Sequence, residues 1–171
     1  MAKYRRRRYW KRRSGRWCSN IQELSFAYSP LQGVWHEKET IMTNPAQTVL
    51  GVSQRYTIKN IELTLTFETD SDGTSLFEDL TAYIMYVPQG MVVDESYNIQ
   101  HPEYIMAYKF IGSPHGDNVS QEYSPVKIRT RLARKLDTGD NVIVFMKGNA
   151  QSSTAKVIRV NGLVRWWSKA N

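Results

Sequence analysis

Three histidines and one cysteine are the first places to look for chemistry. His36, His101 and His115 lie far apart, and none stands at a ligand spacing from another His or from Cys18. The compact N/S set that zinc requires is therefore unsupported. Cys18 has no base near it in sequence and reads as an incidental thiol. As the sole cysteine it cannot form an internal disulfide, which fits a reducing compartment. Asp137-Thr138-Gly139 matches the active tripeptide of aspartic proteases, whose chemistry needs two carboxylates sharing a proton. Those enzymes place it after a hydrophobic strand, whereas Arg134-Lys135-Leu136 precedes it here. A turn, built on the turn formers Asp and Gly, explains it better. Asp70-Ser71-Asp72-Gly73 opens like a calcium loop, but Thr81 occupies the twelfth position, where a carboxylate is required. Asn118-Val119-Ser120 is a glycosylation sequon only in a secreted protein. There is no Gly-x-Ser-x-Gly elbow, Gly-rich phosphate loop or His-Glu-x-x-His. The chain reads as a non-enzyme, with no cofactor and no metal.

The remaining chemistry is that of charge. The 171 residues include 23 Lys and Arg against 16 Asp and Glu, a formal net charge of +7. Residues 1–17 alone hold nine of the basic side chains: Lys3, Arg5, Arg6, Arg7, Arg8, Lys11, Arg12, Arg13 and Arg16. They hold no acid. Residues 18–171 keep the other 14 basic residues against all 16 acids, a net charge of −2. Like charges at this density repel, and no apolar face recurs at helical or strand spacing, so 1–17 is expected to be a disordered arm. Tyr4, Tyr9, Trp10 and Trp17 are interleaved with the charges. Arginines neutralise phosphates and release counterions, while aromatic rings offer faces on which unpaired bases stack. The arm therefore reads as a binder of single-stranded nucleic acid. A nuclear-import signal is the simpler alternative, and both roles can coexist.

A second basic feature is the row Lys127, Arg129 and Arg131, with Arg134 and Lys135 just beyond. Alternate residues of a strand share a face, so the row is either a solvated sheet face paired with neighbouring acids or a secondary polyanion contact.

The elements that must position these residues have a period of two. Ile61, Leu63, Leu65 and Phe67 alternate with Glu62, Thr64, Thr66 and Glu68, predicting a long strand over 53–69 with one buried face. Further strands are predicted over 80–87, 104–111 and 126–134, punctuated by Pro88-Gln89-Gly90, Gly112-Ser113-Pro114 and Asp137-Thr138-Gly139-Asp140. Residues 141–147 hold five apolar residues in succession, as in a strand buried on both faces. A polar loop follows over 148–154, then one or two strands over 155–167. Residues 21–28 and 35–43 are weaker strand candidates. No convincing helix of 12 or more residues is present, so the body is expected to be one all-β domain, 18–171, of seven to nine strands. An immunoglobulin-like sandwich and a jelly roll both fit this spacing. No internal repeat points to a propeller or solenoid. No run approaches the roughly 20 apolar residues of a membrane span, and the N-terminus lacks the apolar stretch of a secretory signal. Residues 88–101 and 113–124 are expected among the outer loops.

Three segments carry a resemblance to a known family. The arm MAKYRRRRYWKRR, the run Arg55-Tyr56-Thr57-Ile58-Lys59-Asn60-Ile61-Glu62-Leu63, and the C-terminal stretches RLARKLDTGDNVIVF (131–145) and GLVRWWSKAN (162–171) resemble capsid proteins of small circular Rep-encoding single-stranded-DNA viruses, in the circovirus and nanovirus neighbourhood. They cover about a third of the chain. The resemblance implies a jelly roll of about eight antiparallel strands, sixty copies of which close into a T=1 icosahedral shell around a DNA genome. It also implies location in the virion, with a passage through the host nucleus that engages an import receptor. Nine arm charges per subunit would then give about 540 positive charges facing phosphate. The near-neutral body would let subunits meet without repulsion. Trp166-Trp167, if partly exposed, would suit a subunit interface; burial of both in the core is the equal alternative. Two other classes combine a basic tail with a folded body: coats of small single-stranded-RNA satellite viruses, and cellular basic-tailed nucleic-acid-binding proteins.

Overall fold

The alternation of apolar and polar residues is realised as strands almost wherever it occurs. The computed structural model describes residues 16–29, 33–44, 55–69, 77–112, 125–150 and 157–170. Within them run β1 (Cys18–Tyr28), β2 (Gly33–Thr43), β3 (Tyr56–Thr69), β4 (Phe77–Val87), β5 (Ile105–Gly112), β6 (Val126–Thr130), β7 (Arg134–Leu136), β8 (Asn141–Ala150) and β9 (Ile158–Ala170). A single helical turn, α1 (Tyr97–Gln100), and a 3-10 turn at Pro102–Tyr104 lie between β4 and β5. The turn expected at 70–73, the sequon, His115, the loop 113–124 and most of the loop at 148–154 fall outside the described residues.

The strands pair as a folded-over hairpin. β4 pairs with β5, β3 with β6 and β7, β2 with β8 and β1 with β9, each pair nested outside the last and all antiparallel. Two further pairings, β3 with β9 and β4 with β8, weave these ribbons into sheets. One sheet has the order β1-β9-β3-β6, with β7 continuing along β3, and the other the order β2-β8-β4-β5. Counting β6 and β7 as halves of one strand, this is an eight-stranded jelly roll. It decides between the two sandwiches that strand spacing left open.

The inner faces share one core. Ile58, Ile61, Leu63, Leu65 and Phe67 of β3 are at most 1% exposed and pack with Val160, Val164 and Trp166 of β9 and with Leu80, Ala82, Ile84, Val142, Val144 and Met146 of the other sheet. Burying each such aliphatic side chain contributes about 1.5–3 kcal/mol. Gly162 sits where β1, β9 and β3 run together, opposite Leu24 and Leu65. A Cβ there would lie 2.9 Å from the Thr64 carbonyl oxygen and 2.7 Å from Leu65 Cδ2, so only glycine allows this close approach.

The doubly apolar run at 141–147 is buried on both sides, as its composition predicts. Val142, Val144 and Met146 face the main core, while Ile143 and Phe145 face outward. Residues 88–104 fold across that outer face, and Val93 and Tyr97 close a second small cluster with Met85, Val87, Ile143 and Phe145. Part of the expected outer loop is therefore a lid on the sheet. The Tyr97 phenol donates to the Tyr86 carbonyl at 3.3 Å, and its burial pushes its pKa up to about 12.

Two boundaries differ from expectation. β8 continues to Ala150 because Gly148 and Ala150 pair with Trp35 and Gly33 of β2, so the first part of the expected polar loop is strand. The strand expected over 126–134 is broken. The Thr130 hydroxyl accepts a hydrogen bond from the Leu132 amide at 3.1 Å, turning the chain out of the ladder until Arg134.

Asp137-Thr138-Gly139 is a turn, as expected, with Gly139 at φ +85°. Asp137 is exposed and pairs with Arg55 at 2.7 Å. The buried Asp140 carboxylate accepts from the Tyr86 hydroxyl at 2.6 Å and from the amides of Asp137 at 2.8 Å and Gln89 at 3.0 Å. It ties two turns together as a structural anchor.

Candidate nucleic-acid interface

Strand parity places seven basic side chains on the outer face of the β1-β9-β3-β6 sheet. Leu24, Ile58, Leu63, Ile128, Val160 and Val164 point inward, so their odd-register neighbours point out. The outward set contains Lys59, Lys127, Arg129, Lys135, Arg159, Arg165 and Lys169, against Glu23, Glu62 and Glu68. Among the described strand residues this face is net +4, although residues 18–171 as a whole are −2. Charge is segregated within the body as well as between body and arm.

Two irregularities coincide on this face. Asn60 adopts φ +50°, a conformation asparagine tolerates, and Asn60 and Ile61 together oppose the single residue Trp166. This is a β-bulge. On the other side of β3, the bulge faces the break between Thr130 and Arg134. The sheet opens there into a polar groove of about 290 Å³, lined by Asn60, Glu62, Arg129, Thr130, Arg131, Arg165 and Trp167. Arg129 Nε lies 3.7 Å from Glu62 Oε1, an ion pair open to solvent and therefore weak.

Of the sequence-predicted arm residues, Lys3, Tyr4, Arg5, Arg6, Arg7, Arg8, Tyr9, Trp10, Lys11, Arg12 and Arg13 lie outside the described residues. Arg16 is exposed. The Trp17 ring is half-buried on the basic face, with Lys59 Nζ 3.9 Å from its centroid and Lys169 Nζ at 5.9 Å. Cation–π contact of this kind seats Trp17 on the basic face. The row Lys127, Arg129, Arg131 does point outward, but not as one strand face. β6 ends at Thr130, and Arg131 reaches the groove from the break.

Sequence reasoning did not place Lys59, Arg165 and Lys169 beside the Lys127, Arg129 and Arg131 row, and it took Trp167 with Trp166 as an interface pair. A signal was present, since Arg165, Trp167 and Lys169 alternate along one strand as Lys127 and Arg129 do. The Trp166-Trp167 pair divides: Trp166 is 8% exposed in the core, and Trp167 is 38% exposed on the basic face.

Two of the three histidines lie against aromatic rings. The His36 ring lies against Phe145, with centroids 5.9 Å apart. His101 stacks on Tyr104 and sits 3.3 Å from Glu103. Cys18 is an exposed free thiol. Among the described residues, no group of three His, Cys, Asp or Glu is placed to hold a metal ion. No described helix is long and apolar enough to cross a membrane.

On the opposite sheet, Val34, Ile99 and Phe110 are more than half exposed around a shallow groove of about 460 Å³. Tyr108, also exposed, stacks on Tyr83 beside it, with centroids 5.9 Å apart. Lys147 at the floor of this region is held by Glu95, through its carboxylate at 3.8 Å and its carbonyl at 3.1 Å.

No protein-family model matches the chain, and no curated protein matches it. Among solved structures it is similar to the cyanophage Pam1 capsid asymmetric unit, at 13% identity and TM-score 0.41 over 90% of this chain and 86% of that one. It is also similar to the 60-mer BFDV capsid protein, at 8% identity and TM-score 0.41 over 91% and 94%. A third is Desmodium yellow mottle tymovirus, at 10% identity and TM-score 0.33 over 90% of each chain. The strand order, rather than these distant similarities, defines the fold.

Proposed function

We propose that this chain is the coat subunit of a small virus, one that assembles with copies of itself into a closed icosahedral shell and packages single-stranded DNA through residues 3–17. The observation that carries this reading is the union of two devices in one chain: a jelly roll, and an arm of nine basic residues joined to its positive sheet face at Trp17. The division into an arm, 1–17, and a shell domain, 18–171, is part of the proposal. So is a shell of sixty subunits with T=1 geometry.

The two faces of the sandwich suit a shell wall. The face that receives the arm is net positive, fitting contact with a polyanion without sequence readout. The opposite face carries exposed apolar side chains, Val34, Tyr108 and Phe110 on the sheet and Ile99 on α1, and clusters of this kind mark surfaces that meet other proteins. No step of this function requires bond chemistry. Location in the virion and passage through the host nucleus, with the arm engaging an import receptor, follow from the same reading.

Electron microscopy of the purified full-length protein, made without other viral proteins, tests it. Closed particles of uniform size are expected. A monomer that persists across a range of salt and pH would overturn the reading.

A further inference from the structure

The groove at the Asn60 bulge has a composition that the shell itself does not require. Three arginines, Arg129, Arg131 and Arg165, line it from β6, the break after it and β9, and Glu62, paired with Arg129, is its one acidic residue. The indole of Trp167 forms one wall and is 38% exposed, while its neighbour Trp166 takes the core position. We propose that this groove binds one nucleotide unit of a single-stranded nucleic acid, with backbone phosphates at the arginines and an unpaired base against the Trp167 indole. This deepens the genome-packaging reading and rests on it.

Three observations carry the assignment. The groove of about 290 Å³ is at the lower limit of small-ligand sites, a size suited to one unit of a chain. Its charge, three guanidiniums against one carboxylate, suits a phosphodiester, and guanidinium forks match phosphate oxygens in pairs. An indole face beside them serves only a base that is not already stacked in a duplex, which selects single strands. The path onward is also supplied. Lys59 pairs across the ladder with Trp167 and lies over Trp17, where residues 1–15 join the body. A strand leaving the groove along this line meets the arm without crossing an acidic side chain of the face. Phosphate contacts of this kind position a strand and do not read its sequence.

The test uses the full-length protein and a short labelled oligothymidylate. Ultraviolet cross-linking followed by peptide mass spectrometry is expected to mark Trp167 or its neighbours in addition to the arm. In titrations at several salt concentrations, Arg131→Gln and Arg165→Gln should each flatten the slope of log K against log salt by about 0.7. Trp167→Leu should weaken binding about tenfold and leave that slope unchanged. Glu62→Gln should tighten binding.

Cross-links confined to residues 1–17, with the variants binding as the parent does, would overturn the proposal and leave the shell reading intact. So would variants that bind the oligonucleotide normally but no longer form particles, which would make the groove a contact between subunits. Cross-links at Trp167 in a protein that never forms particles would support the groove and overturn the shell.

Discussion

Burial holds the phenols of Tyr28, Tyr86 and Tyr97 above the ordinary tyrosine range, which makes alkaline pH a probe of two places, the Tyr28 side of the main core and the adjoining Tyr86 and Tyr97 under the 88–104 segment. Tyr28 is raised by desolvation and by Glu39 and Glu37, and its hydroxyl is buried with no hydrogen-bond partner among the described residues. Tyr86 is raised by burial first and then by its hydrogen bond to Asp140. Tyr97 stands at about 12, again with burial as the largest cause. In each the folded state favours the neutral phenol. The stability this contributes is therefore complete below the unfolded value of about 10 and is lost as pH rises through the folded one. Unfolding is expected between about pH 10 and 12, with part of the tyrosinate absorbance appearing together with the loss of near-ultraviolet circular dichroism. Ionisation of every tyrosine with that signal intact would refute it. None of this was legible in the sequence. The partners Tyr86 and Asp140 stand 54 positions apart, and the composition of either neighbourhood gives no hint of the other.

Among the elements, β8 shows how far pattern reading reaches. Five apolar residues in succession predicted a strand covered on both faces, and both faces are covered. What covers the outer face could not be read, because Val93 and Tyr97 belong to a segment without strand or long-helix periodicity. Since Phe145 is fully buried in the outer cluster and Val144 in the inner one, the two faces should respond separately to truncation. Phe145→Ala is expected to cost about 3–5 kcal/mol. Hydrogen exchange should quicken chiefly over 91–100 and less in β3 and β9. Equal acceleration everywhere would show that the lid and the sandwich open as one unit. β3 was legible for the opposite reason, since its alternation over 61–67 depends only on neighbours in the chain. The break in the strand expected over 126–134 was not. Lys127, Arg129 and Arg131 keep perfect alternation, and only the hydroxyl of Thr130 turning back on the Leu132 amide ends the ladder.

At the scale of the whole molecule, the proposed function turns on the distribution of charge. Deleting residues 2–15 removes eight of the nine arm charges but keeps Trp17 and its lysines. The body should stay folded, with unchanged circular dichroism, and should lose most of its nucleic-acid binding and of the salt dependence that accompanies it. Binding undiminished by the deletion would move the main contact from the arm to the basic face. The sequence by itself determined the all-β class, most strands to within a few residues, and the split between a +9 arm and a −2 body. These are properties of adjacent residues or of simple sums. Only the tertiary structure decided the nested strand order, the gap opposite Asn60 and the +4 face hidden inside a net −2. Those depend on pairings such as Glu62 with Arg129 and Arg165, across 67 and 103 positions of chain. A charge adds to a sum wherever it stands, but it adds to a surface only where the fold turns it outward beside others of its sign.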